Sequence, residues 1–102
     1  MTLDRIVDLN LNSLKQQLSN FTLIESNQTT ISSKENQSAH KIVYTNTNEN
    51  PSFPLTFKSM QIFSIKDGQV YTISYVSEES RYPRHLPIIE RMIDSISFEQ
   101  RQ

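Results

Sequence analysis

Leu3, Val7, Leu11, Leu14 and Leu18 recur at steps of three and four residues. That spacing lays one apolar stripe along a helix and predicts a helix over 3–18, with Thr2 or Asp4 as its cap and Ser19-Asn20 as its end. Tyr82, Leu86, Ile89, Ile93 and Ile96 form a second stripe of the same kind. It predicts a closing helix over 86–96, with Pro87 in the first turn, where a missing N–H costs nothing, and a looser turn before it. Between the helices the pattern is β-like. "FTLIES" (21–26) reads as a strand, and "TTIS" (29–32) as a further short strand or a turn edge. "SSKENQS" (32–38) reads as a loop tip, "AHKIVYTNT" (39–47) as a strand, and "NENPSFP" (48–54) as a loop holding Pro51 and Pro54. "LTFKSMQIFSIK" (55–66) and "QVYTISYV" (69–76) flank Asp67-Gly68, and the tail "SFEQRQ" adds a few extended residues.

Asp-Gly between two β-rich runs is a strong hairpin signal, because a primed two-residue turn needs positive φ at both positions. With that turn, Ile65 faces Val70, Ile62 faces Ile73 and Met60 faces Tyr75. Met60, Ile62, Tyr71, Ile73 and Tyr75 then share the face expected to form the core. Phe57, Phe63, Ile65, Val70 and Thr72 share the other, expected to be half-exposed. A three-residue turn with a bulge would separate Ile62 from Ile73. Tyr71 and Tyr75 are read as core residues with their hydroxyls at the rim.

The chain has 102 residues, which fits one domain over 1–102. Only 35% of residues are hydrophobic, yet they cluster in periodic segments, which argues against disorder. A formal charge of −1 supplies no field to attract nucleic acid or an anionic membrane. No cysteine is present, which excludes disulfides, thiolate metal ligands and a cysteine nucleophile. No stretch is apolar enough for a membrane span, and "MTLDRIVDLNLNSL" lacks the apolar segment of a signal peptide. A cytoplasmic protein is expected if the chain is complete, and an extracellular or periplasmic one if it is a fragment of an exported protein.

Little of the polar content suggests reaction chemistry. His40 and His85 have no second ligand at helical or strand spacing, so no metal or cofactor is expected. Glu78 and Glu79 are adjacent carboxylates with nothing apolar nearby to raise a pKa. Gly68, the one glycine, belongs to the hairpin, so neither a nucleophile elbow nor a phosphate loop exists. The densest charged stretch is "EESRYPRH" (78–85), in which Arg81, Tyr82, Arg84 and His85 make a candidate partner patch, since Arg and Tyr are enriched at interfaces. Phe53, between two prolines, is expected to tuck under the sheet.

"AHKIVYT", "MQIFSIKDGQVYTISYV" and "YPRHLPIIERMIDSISF" resemble the C-terminal two thirds of PsbP-like proteins. In that family a strand of A-x-x-x-x-Y-T type precedes a KDG-x-x-Y hairpin, and a helix with a "MIDSF"-like end closes the chain. The resemblance covers roughly residues 3 to 99. It implies an α+β fold, an antiparallel sheet flanked by helices in an α/β/α sandwich, in the order α-β-(β)-β-β-β-α. It also implies a non-catalytic binding or assembly module acting through protein–protein contacts. Family members carry additional N-terminal strands with a P-x-x-W segment, and this chain has no tryptophan and starts at the helix. One sheet edge is therefore expected to be bare and available for a homodimer. The alternative function is a small-ligand carrier with a pocket between helix and sheet near Tyr44, Tyr71 and Tyr75.

Overall fold

A computed structural model of the protein describes residues 2–32, 36–48 and 52–96. Its elements are α1 (Leu3–Gln17), β1 (Thr22–Ile31), β2 (Gln37–Thr47), β3 (Thr56–Lys66), β4 (Gln69–Glu78), a 3-10 turn at Glu79–Arg81, and α2 (Tyr82–Asp94). The strands pair antiparallel in the order β1-β2-β3-β4. The fold is α+β, an antiparallel sheet with a helix on each face, as expected. "TTIS" is the end of one long β1, and the tail at 97–102 lies outside the described residues.

Thr2 caps α1, its hydroxyl accepting from the Arg5 N–H at 3.2 Å. The apolar stripe of α1 lies on one face of the sheet. There Ile6 and Val7 pack with Ile42, Tyr44 and Phe63, flanked by Leu3, Leu11, Leu14, Leu18, Phe21 and Ile65. On the opposite face Tyr82 and Ile93 of α2 pack with Ile31, Ala39, Val43, Met60 and Ile62, flanked by Ile73, Tyr75, Leu86 and Ile89. The sheet thus separates two small cores, each closed by one helix. The expectation of a half-exposed second face fails at its centre: Phe63 is only 2% exposed because α1 covers it. Within the hairpin, what remains open on that face is the β4 margin, with Val70 and Val76.

The hairpin has the two-residue turn. Ile65 pairs with Val70, Ile62 with Ile73 and Met60 with Tyr75, without a register shift. Asp67 and Gly68 have φ of 51° and 76°. Ile73 and Tyr75 join the α2-side core, but Tyr71, farther toward the turn, is exposed and donates to Gln69 Oε1 at 3.1 Å.

The closing helix spans Tyr82–Asp94, beginning a turn earlier than the expected 86, at the first residue of its stripe. Tyr82 is its first residue, Pro83 occupies the first turn, and Pro87 lies in the interior. The cause is tertiary: the Tyr75 hydroxyl donates to the Tyr82 carbonyl at 2.8 Å and the two rings stack at 5.0 Å. These contacts draw the helix start onto β4. At its other end the Ile93 carbonyl accepts from the Ser32 N–H at 3.1 Å, tying α2 to the end of β1.

A Cβ at position 68 would meet no atom within 4 Å, so a substitution there meets only backbone strain. Gly68→Ala is therefore expected to cost about 1–2 kcal/mol, a fall of roughly 4–8 °C in melting temperature for each kcal/mol. Thermal melts check this, and an unchanged midpoint would show that the turn relaxes out of positive φ.

Candidate functional site

The candidate patch sits at the junction of β4 and α2. Arg81, Arg84 and His85 are exposed there, and Arg81 Nε lies 3.4 Å from Glu78 Oε2. Tyr82 does not belong to the surface. It is 4% exposed, its ring covered by Tyr75 and by the Lys58 ammonium, 4.6 Å from the ring centroid. The tyrosine expected to contact a partner instead anchors the helix entry, where Arg81 ends the 3-10 turn and Arg84 lies in the first turn of α2. Burial first, and then the neighbouring Tyr75, Glu25 and Glu90, push the Tyr82 phenol up to about 12.

At the same end of the sheet β2 gives way to β3. The loop closes on itself through Asn48 N–H to the Leu55 carbonyl and Leu55 N–H to Asn48 Oδ1, each at 3.0 Å. A bond between the Thr47 and Thr56 hydroxyls at 2.8 Å fastens its base. Phe53 projects from this loop and is 72% exposed, contrary to the expectation of burial. The reason is geometric: both cores end at the helices, and among the described residues no element extends beyond the strand ends to receive the ring. Because Phe57 pairs with Glu78, the turn at Glu79–Arg81 emerges beside this loop's exit into β3. Phe53 and the Arg81–Arg84–His85 surface therefore occupy one end of the molecule.

The other end carries a cleft of about 550 Å³ between the start of α1 and the β1–β2 pair. Thr2, Asp4, Gln28, Thr30, Ser38 and His40 contribute polar walls. His40 Nε2 lies 2.8 Å from Ser26 Oγ, while its Nδ1 is buried with no hydrogen-bond partner among the described residues. The cleft exists because α1 crosses the middle of the sheet and leaves the polar α1-side residues of β1, Ser26, Gln28 and Thr30, uncovered. That run of alternate polar residues is the signal from which an open margin could have been read.

Tyr44, Tyr71 and Tyr75, expected around one pocket, do not share a face of the sheet. Tyr44 belongs to the α1-side core and Tyr75 to the α2-side core, so the sheet lies between them. His40 faces α1, whereas His85 lies on α2, across the sheet. Among the described residues no group of three or more His, Asp or Glu is placed to hold a metal ion. No described helix is long and apolar enough to cross a membrane. Glu25, bonded by the Asn27 amide at 2.9 Å and by Lys41 at 3.2 Å, is held below the usual carboxylate range, chiefly by Asn27.

Comparison with known proteins adds a fold likeness. No protein-family model and no curated protein matches the sequence. Among solved structures, PA94 from Pseudomonas aeruginosa, a protein of unknown function described as a candidate regulator, superposes with a TM-score of 0.80 at 16% identity. The match covers 98% of this chain and 65% of PA94. An identity this low shows a shared fold and nothing about activity.

The Tyr82 shift has a signed consequence. A phenol whose folded pKa lies above its ordinary value of 10.0 favours folding while it is protonated. That contribution is complete below the unfolded pKa and is lost as pH rises from about 10 toward about 12. Denaturant melts should lose stability across this alkaline window, and Tyr82→Phe should flatten the loss. Equal alkaline slopes in both proteins would contradict it.

Proposed function

We propose that this chain is a non-catalytic binding or assembly module of PsbP-like type that acts through protein–protein contacts. The observation that carries this reading is the exposed Phe53 ring, presented at the same end as Arg81, Arg84 and His85. Leaving a Phe side chain in water forgoes about 2–3 kcal/mol of burial energy. The strand ends that carry its segment are joined by hydrogen bonds between Asn48 and Leu55 and between Thr47 and Thr56. An aromatic anchor beside guanidinium groups suits a partner with an apolar recess and an acidic rim. The mechanism is rigid display: sheet and helices hold the loop and the helix entry, and binding needs no rearrangement. The PsbP-like character rests on the hairpin and closing-helix motifs, and the fold shared with PA94 is compatible with it.

Affinity capture from the source cell, with Phe53→Ser and the pair Arg81→Glu, Arg84→Glu as controls, tests the reading. Each control should reduce recovery of the partner at least about tenfold, as expected for loss of a hot spot or reversal of a rim charge. Both are surface changes and should leave the melting temperature within a few degrees. Undiminished capture by both controls would end the proposal.

The cleft beside His40 favours a second reading as a carrier of a small polar ligand. Its hydroxyl and amide walls suit hydrogen bonding, and the unpartnered Nδ1 supplies a further polar group close by. Screening small polar metabolites by thermal shift should then raise the melting temperature, and the rise should vanish in His40→Phe. A flat response across the screen would leave only the module reading.

A further inference from the structure

The outer strand β4 contains the run Val70-Tyr71-Thr72-Ile73-Ser74-Tyr75-Val76. It reads almost identically from either end: Val with Val, Tyr with Tyr, Thr with Ser, about Ile73. Antiparallel pairing of two copies is the arrangement in which such symmetry matters, because each residue then meets its own counterpart across a two-fold axis. We propose that this face takes a second copy of the same chain, joining two sheets through β4 into one eight-stranded sheet. The proposal goes beyond the binding reading above and does not depend on it, since β4 is a lateral edge and the Phe53 surface lies at the strand ends.

The backbone is in the correct phase. A two-residue turn makes Lys66–Gln69 the first hydrogen-bonded pair of the hairpin. The odd-numbered residues of β4 therefore bond to β3. Val70, Thr72, Ser74 and Val76 aim their N–H and C=O groups outward, where among the described residues no strand pairs with them. With Ile73 opposite Ile73 of the other copy, Val70 meets Val76 and Thr72 meets Ser74 as hydrogen-bonded pairs. The two sequence symmetries, of side chains and of backbone phase, thus share one centre.

The two edges of the sheet differ. β1 is blunted by a register shift between Leu23 and Glu25 and carries a carboxylate. β4 runs ten residues without a bulge or a proline, and no charge falls between Gln69 and Ser77. Natural edges normally carry one of these safeguards. A neutral seam opposes no like charges and strips water from none. The flanking surfaces are apolar on both sides: Val76, 63% exposed, on the α1 side, and Ile88 and Met92, 60% exposed in the latter, on α2. A groove of about 160 Å³ lined by Ile73, Ser74, Ile89, Met92, Ile93 and Ile96 runs beside the strand. A seam of nine residues spans about 30 Å, and a sheet with one helix layer is about 20 Å deep, giving roughly 600 Å² per copy. That approaches the ~800 Å² per partner of a standard interface.

Sedimentation equilibrium of the full chain tests this. The expected mass is twice 11.9 kDa at high micromolar concentration. Thr72→Lys with Ser74→Lys places like charges against each other across the axis and should give the single-chain mass. Thr72→Glu with Ser74→Glu should do the same, and mixing the two variants should restore the doubled mass as a heterodimer. Residues 72 and 74 are exposed, so both variants should keep the native melting profile. A wild-type chain that stays monomeric at millimolar concentration would overturn the proposal. So would a dimer that persists in both variants, or one lost instead on Ser26→Lys with Gln28→Lys in β1.

Discussion

Everything in this fold depends on the central strands β2 and β3 being buried on both faces. Ile42 and Phe63 point toward α1 while Val43, Met60 and Ile62 point toward α2, so successive residues enter different cores. A slip of one residue in the β2–β3 register would exchange the two sets and leave each helix facing side chains shaped for the other. The register is therefore held from both sides at once. The outer strands are held from fewer directions, which is why the polar margin of β1 and the apolar margin of β4 remain open to solvent.

Placing a helix across the middle of each face divides the surface by chemistry. The start of α1 leaves a polar cleft over β1, and α2 leaves an apolar strip beside the β4 edge. The strand ends carry the exposed Phe53 and the arginine-bearing helix entry. These are three separate surfaces on a chain of 102 residues, each produced by where the helices stop. The Tyr75–Tyr82 contact links the last two, since it fixes where α2 begins and hence how Arg84 and His85 are presented and which side of α2 faces the β4 edge.

The elements were legible because their signals are local. A stripe at steps of three and four specifies α1 to within a residue, and Asp67-Gly68 specifies the hairpin pairing down to Ile62 opposite Ile73. The candidate patch was legible only in part. Arg81, Arg84 and His85 are exposed as their charge suggests, but nothing within "EESRYPRH" distinguishes a tyrosine that anchors a helix from one that meets a partner. The cleft beside His40 is not legible as a unit in the sequence, because its walls come from α1, β1 and β2, which are separated along the chain.

The sequence alone determined the order of helices and strands, the turn at Asp67-Gly68, the alternation of the strands and the near-palindrome of β4, all of which are set by neighbours a few residues apart. Tertiary structure decided that Phe63 is buried and Phe53 is not, that Tyr44 and Tyr75 belong to different cores, and that α2 starts at Tyr82. Those outcomes turn on what lies across from a side chain in space. Burial is a property of the facing surface as much as of the residue, and the facing surface is supplied by a distant part of the chain.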